Sequence, residues 1–326
     1  PPTEAYAWYP YPNFYASGDI WLKSETDNYN KSPKLVNGTY WNAAIVHEIG
    51  HSLGLAHPHE AETINGKTYG TNVSSGEVHS SLPYSVMSYA EYVGETIGSS
   101  SNNYSKPTTL MIDDIAALQY LYGINEQYNA GDNLYTLGSF SKDSLDYVYA
   151  SIWDAGGNDT FSWADQSTIG AIDLNPGSFS CFGNISSVKD TDLASSTWSA
   201  GDGLLGIAYN ANIENAIGGS ASDTIAGNSS ANTLYGGAGA GVKDTLTGNG
   251  GADIFVCSLS DASTDLSVAD IISDFTDGSD KIGLEDRTFS NLAISNGTGS
   301  YSGDTQIVDS SSGKVLFLLE GIHAGL

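Results

Sequence analysis

A nine-residue rhythm between residues 218 and 256 constrains the fold more than anything else in the chain. Four consecutive segments align, 218–226, 227–235, 236–247 and 248–256. Each has a turn of roughly six residues and then a short strand, with an apolar residue two after an Asp or Asn. The pattern is a degenerate form of the G-G-x-G-x-D-x-U-x repeat, which builds a parallel β-roll. Glycines let each turn curl so that carbonyl oxygens point inward. The Asp carboxylate joins them, and stacked turns enclose Ca²⁺ with oxygen ligands. The apolar residue after the Asp faces inward against its counterpart in the next turn. Without the cation, carboxylates stacked at strand spacing should repel one another. The third segment carries three additional residues, which moves its acid to Asp244 and unsettles that position's geometry. The turn at 154–161 has the same chemistry without repetition. Plain Gly/Asn/Asp turns in a β-sandwich are the competing reading, and the persistence of the register argues against it.

Charge limits the partners. The 326 residues suggest two domains and carry 11 basic against 38 acidic side chains, a net charge of −27. That excludes nucleic acid and anionic membrane as expected partners. Each bound Ca²⁺ would remove two of those charges. Cys181 and Cys257 are too few for a disulfide framework and read as two unpaired, part-buried thiols. No apolar run approaches membrane-spanning length, and no signal peptide opens the chain. A secreted protein of this kind is expected to be processed, or exported by a route that reads its other end.

The second constraint is chemical. In residues 47–57, His47 and His51 are four apart and project from one face of a helix. Glu48 points at the same site. Gly54 can take φ > 0 and end the helix, which brings His57 to the same ion. Three imidazole nitrogens, an open coordination position and an adjacent carboxylate make a hydrolytic zinc site. This extended H-E-x-x-H-x-x-G-x-x-H is the metzincin pattern, and its expected Met-turn follows at Ser85-Val86-Met87-Ser88-Tyr89.

Along the chain, residues 4–9 read as a strand stopped by Pro10 and Pro12, and residues 18–22 as a second. Loop chemistry leads to Asn37-Gly38, and the zinc helix begins between Thr39 and Asn42. Ala44, Ile45, Ile49 and Leu53 are expected to cover its core side. Residues 58–84 read as polar and irregular, and residues 98–107 as a Ser/Asn-rich surface loop. Thr108 and Thr109 are expected to cap a second helix, with Met111, Ile115, Leu118 and Tyr122 on its buried stripe and Gly123 at its end. The domain boundary is placed near 124, giving a metalloprotease domain over 1–124 and a calcium-binding β-roll domain over 125–326.

Together these residues resemble the serralysins, bacterial secreted zinc metalloproteases with a calcium-binding RTX-type β-roll. The likeness also covers residues 113–117, 153–161 and 213–219. It implies an α+β metzincin-like catalytic domain followed by an all-β parallel β-roll/β-sandwich domain. It makes His47, His51 and His57 the zinc ligands and Glu48 the general base. It makes Tyr89 a further ligand that leaves zinc during turnover, with Met87 packed beneath the ion. For calcium it implies Asp154, Gly156, Asp159 and Glu214. In the roll it implies Gly219, Ala221, Asp223, Gly236, Ala238, Asp244, Gly248, Gly250 and Asp253, with Asp270 and Asp280 beyond. The departures are His59-Glu60 where the family usually has glycine, Ala221 and Ser230 at turn glycines, and Asn232 at an acidic position. One calcium position is therefore expected to be weak or absent. His59 is expected to be exposed, or to bind adventitious metal near the cleft. Only 46 residues precede His47, so the resemblance places residues 4–9 as an edge strand for substrate. It also implies a catalytic domain missing its first strands and first helix.

The implied reaction is peptide-bond hydrolysis by zinc-bound water, with Glu48 moving the proton. One catalytic Zn²⁺ and several structural Ca²⁺ ions are expected. So are protein or peptide substrates, a proteinaceous inhibitor or a missing N-terminal segment as further partners, and a monomer outside the cell. Two other readings stand beside it. One is a calcium-dependent RTX binding or adhesion module, and the other is an inactive truncated protease fragment.

Overall fold

The structure is a computed structural model. It describes residues 5–22, 40–64, 67–69, 78–90, 106–136, 149–182, 203–239 and 241–324. Glu4, Asn37-Gly38, Thr39 and the loop over 98–105 lie outside the described residues. The chain divides into two compact units. The first holds 1–128, 138–153 and 186–210, and the second holds 129–137, 154–185 and 211–326. Strands greatly outnumber helices, and no described helix is long and apolar enough to cross a membrane.

In the first unit, strand Ala5–Ala7 pairs antiparallel with Ile20–Leu22, Tyr6 facing Trp21. Helix α1 runs Tyr40–Ser52 and helix α2 runs Ile112–Tyr122. Helix α1 buries a different face from the one its apolar residues suggest. Ile49 is exposed, while Ala43, Glu48, Gly50 and His51 are buried. Met87 explains the shift. It packs so closely beneath α1 that a Cβ on Gly50 would collide with its Sδ. Around it, Leu55, Val86 and Met87 form a core with Val46, Leu110, Ala117 and Leu118. A histidine-bearing side and a methionine-facing side leave Ile49 toward solvent.

Helix α2 also differs in detail. It starts after Met111, whose N–H donates to Asp114 Oδ2 at 2.9 Å, so the cap comes from within the first turn. Thr109 Oγ1 instead accepts the Ser151 N–H at 2.8 Å. Met111 and Ile112 are fully buried, whereas Tyr122 is exposed and its hydroxyl donates to the Leu53 carbonyl at 2.8 Å. Residues 58–84 are not irregular throughout. Glu62–Ile64 pairs antiparallel with Lys67–Tyr69, on either side of an Asn-Gly pair in the sequence that is a strong hairpin signal.

The second unit is the coiled repeat. Successive segments alternate between two parallel sheets. Asn215–Ile217, Thr233–Tyr235, Ile254–Cys257 and Lys281–Leu284 stack in one. Thr224–Ala226, Thr245–Thr247 and Ile271–Ile272 stack in the other. One coil is therefore two segments, and the in-register counterpart of Ile225 is Leu246 rather than Leu234. Ala216, Ile225, Leu234, Leu246, Phe255 and Ile272 are all completely buried between the sheets. The three additional residues of the third segment are absorbed in its turn, since Thr245 still pairs with Thr224. The 154–161 turn belongs to the same stack, because Thr160–Ser162 pairs parallel with Asn215–Ile217 and with Leu134–Thr136. Strands Leu292–Asn296, Thr305–Asp309 and Val315–Leu319 close the far end as an antiparallel meander, with Val315–Leu319 beside Ile271–Ile272. Cys181 and Cys257 are both buried, and burial pushes the Cys257 thiol up to about 12.

Candidate metal centres

Helix α1 ends because Gly54 adopts φ +99°, with its N–H donating to the His51 carbonyl. The Leu55 N–H donates to the Gly50 carbonyl at 2.9 Å. The chain turns back there and carries His57 to the Nε2 atoms of the His47–His51 pair. His57 Nε2 lies 3.1 Å from His47 Nε2 and 3.0 Å from His51 Nε2. The opposite ring nitrogens face acceptors. His47 Nδ1 donates to the Val86 carbonyl at 2.8 Å and His51 Nδ1 to the Leu55 carbonyl at 2.8 Å. His57 Nδ1 lies 3.1 Å from Glu60 Oε2. Carbonyl and carboxylate oxygens can only accept, so the Nδ1–H tautomers are fixed and three Nε2 lone pairs converge on one point. Converging lone pairs suit a cation. Burial pushes the His47 imidazole down to about 4; the Val86 bond opposes this and the neighbouring imidazoles add to it. It is therefore neutral at pH 7.

Glu48 is buried beside the triad, and its Oε2 has no hydrogen-bond partner among the described residues. Burial raises its carboxyl above the ordinary range, opposed by a hydrogen bond from the Ala7 backbone. Tyr89 is half exposed, its ring centroid 4.7 Å from that of His57 and 5.7 Å from that of His47. His59 is not exposed as expected. It is buried, with its ring 5.2 Å from His57.

The Met-turn is held by a residue that the sequence reading did not single out. Asp114 is buried and accepts from Ser85 Oγ at 2.7 Å, Val86 N at 2.8 Å and Met111 N at 2.9 Å. Burial pushes its carboxyl up to about 6, against the pull of these three bonds. An acid in the first turn of α2 was visible in the sequence, but nothing there tied it to residues 85–87.

The repeat's carboxylates form two columns. In one, Asp270 Oδ1 accepts from Asp244 N at 2.9 Å, Asp244 Oδ1 from Asp223 N at 2.8 Å and Asp223 Oδ1 from Gly170 N at 2.5 Å. Gly219 N also donates to Asp223 Oδ2 at 2.5 Å. In the other, Asp280 Oδ1 accepts from Asp253 N at 3.0 Å and Asp253 Oδ1 from Asn232 N at 2.8 Å. Farther along, Glu214 Oε2 accepts from Asp159 N at 2.8 Å and Asp159 Oδ1 from Asn133 N at 2.7 Å. Asp154 Oδ1 caps the Gly156 N–H at 2.8 Å, and its other oxygen meets the Tyr135 hydroxyl.

These columns carry strain that a cation would relieve. Burial first, and neighbouring carboxylates second, push Asp244 up to about 8 and Asp270 to about 7. Asp253 and Asp159 rise to about 6, chiefly through burial. Asp159 Oδ2 is buried without a partner among the described residues. Oxygen-rich turns of this kind fit Ca²⁺. Gly236 and Gly248 lie against Asp244 and Asp253, while Ala221 is part-buried, Ala238 is exposed, and Gly250 donates to the Asn228 carbonyl at 3.1 Å. One level does not fit a cation. Asn232 Nδ2 donates to the Glu214 carbonyl at 2.9 Å, and Asn228 Nδ2 donates to the Ile213 carbonyl at 2.8 Å. Amide donors, which cannot ligate a cation through nitrogen, take up these two carbonyl oxygens.

Comparison with known proteins agrees with this picture at the family level. Residues 114–314 match the family model "Peptidase M10 serralysin C terminal". The chain is 38% identical over 233 residues to serralysin C of Dickeya chrysanthemi, covering 68% of this chain and 43% of that protein. It is 36% identical over 236 residues to serralysin of Proteus mirabilis, covering 68% and 43%. It is 36% identical over 327 residues to metallopeptidase AprA of Pseudomonas marginalis, covering 92% and 62%. The chain thus spans less than two thirds of the length of each of these relatives. With a repeat coil, a histidine triad and this match over most of its length, the chain belongs to the serralysin family.

Proposed function

We propose that the chain carries the zinc-ligand end of a metzincin-like catalytic domain in residues 1–124 and a calcium-binding roll in 125–326. Its activity is peptide-bond hydrolysis. The convergence of three Nε2 lone pairs from His47, His51 and His57 supports this reading most strongly. Zinc, when bound, supplies a Lewis acid that acidifies water and polarises a carbonyl. The rest is done by side chains. Glu48 takes the proton of the attacking water at Oε2, the oxygen with no hydrogen bond of its own among the described residues. Its raised pKa then lets it hold that proton and pass it to the leaving amine. Tyr89, half exposed beside His47 and His57, donates its hydroxyl to the developing oxyanion. Strand Ala5–Ala7 lies against Glu48 and offers main-chain groups to an extended peptide, consistent with a protein substrate.

Calcium is assigned to the levels of Asp154, Asp159 and Glu214, of Asp223, Asp244 and Asp270, and of Asp253 and Asp280. The Asn232 level is left out. Such a charge ladder suits a secreted protein, because extracellular calcium modules work at roughly 10⁻⁴–10⁻³ M. A calcium-dependent binding module would account for the second unit alone, but it gives the triad no task. Casein hydrolysis and zinc content, measured before and after chelation in millimolar calcium, separate the two. Zinc-dependent hydrolysis is expected. A folded, calcium-loaded protein that neither binds zinc nor cleaves casein overturns the reading.

A further inference from the structure

The proposed reaction leaves one buried imidazole unused. His59 has a side chain only 3% exposed, and neither of its ring nitrogens has a hydrogen-bond partner among the described residues. Buried polar groups are nearly always satisfied, so a ring in this state calls for a ligand. It stacks on His57 with ring planes 16° apart and lies 4.7 Å from the Tyr89 ring. Glu60 stands between the two imidazoles. Its Oε2 is 3.1 Å from His57 Nδ1 and its Oε1 is 3.9 Å from His59 Nε2. One ligand atom from each of His57, His59 and Glu60 falls within 4.8 Å of the others. Zinc holds such nitrogens and oxygens at about 2.0–2.2 Å, so these donors can close on one ion with small side-chain movements. His57 Nδ1 is the ring nitrogen turned away from His47 and His51.

We propose that His57, His59 and Glu60 form a second zinc site next to the triad, with His57 bridging the two sites through its two ring nitrogens. The proposal rests on the triad reading in one respect, that His57 Nε2 belongs to the first ion. Binding at Nδ1 releases that nitrogen's proton to solvent and turns Glu60 from the acceptor that orients His57 into a ligand. Glu60 is half exposed and must be immobilised, so the second site is the weaker one. A ring shared between two cations gives less to each, and excess zinc therefore inhibits peptide hydrolysis.

The test is zinc stoichiometry by equilibrium dialysis of the calcium-saturated chain, for the wild type and for His59→Phe. That variant keeps a ring against His57 and Tyr89 and offers no nitrogen. The expected result is two zinc ions in the wild type, the weaker lost first, and one in His59→Phe. Inhibition by excess zinc should disappear in the variant. One zinc in the wild type overturns the second site and leaves the triad reading standing. Two zinc ions in both proteins also overturn it, because the second ion then lies elsewhere. No zinc in the wild type overturns the triad reading and this one together. Where that variant fails to fold, Glu60→Ala, at a half-exposed side chain, takes its place: one zinc is expected, and two would overturn the second site. Cobalt(II) reports the bridge: its paramagnetic resonance should lose intensity as the second ion enters, and two independent, additive signals would overturn the bridging.

Discussion

Asp114 sets the floor of the proposed zinc site from 28 residues away along the chain. It ties Ser85 and Val86 to the start of helix α2, and Val86 in turn presents its carbonyl to His47. Asp114→Ala leaves three donors without their acceptor, and each buried unsatisfied group costs about 1–3 kcal/mol. The variant should unfold at clearly lower denaturant and bind zinc more weakly. Unchanged stability would show that the Met-turn holds itself. Residues of this kind were not legible in the sequence. His47, His51, Glu48 and His57 were, because helical spacing and one glycine fix their directions locally. Asp114 was not, because its function lies in a loop that only the fold brings to it. His59 was misplaced for the same reason, since its burial depends on Tyr89 and His57.

At the scale of the element, the repeat was legible because each segment repeats one turn and one inward residue. The pairing of alternate segments follows from the two-sheet coil. The caps of α2 and the face of α1 were less legible, because Asp114 and Met87 override the local apolar pattern. The Asn232 level shows what the repeat tolerates. Asn232→Asp removes the amide donated to the Glu214 carbonyl and adds a charge above Asp253. Its thermal midpoint should fall below wild type in chelator and recover in millimolar calcium. An equal loss in both conditions would mean that no new cation is taken up. The terminal meander is fastened differently. Asp309, buried, accepts from Ser311 Oγ at 2.6 Å and Ser312 Oγ at 2.6 Å and pairs with Arg287 Nε at 3.1 Å. The Ser311 and Ser312 hydroxyls lead in holding its carboxyl far below the ordinary 3.8. A depressed acid stabilises the fold above its unfolded pKa and loses that contribution as pH falls. Asp309→Asn should therefore be less stable than wild type at pH 7, and the gap should begin to narrow near pH 4, where the unfolded chain's carboxyl takes up its proton, and close only well below that, where the folded carboxylate protonates. A gap independent of pH would assign the effect to packing.

For the whole molecule, a net charge of −27 and two buried carboxylate columns are the grounds on which calcium is proposed as part of the fold. Chelating calcium at pH 8 should collapse the strand signal of the roll and open residues 211–284 to proteolysis, because groups such as Asp244 and Asp270 must then ionise side by side. A far-UV spectrum unchanged in chelator would remove calcium from the account. The zinc centre stands on a different test. The central claim is that Glu48 moves the proton at a zinc held by His47, His51 and His57. Cleavage of an internally quenched peptide by zinc- and calcium-loaded Glu48→Gln measures it directly. The variant should retain one triad zinc while its kcat falls by about 10²–10⁴-fold. Near-normal turnover with zinc in place would contradict the assignment.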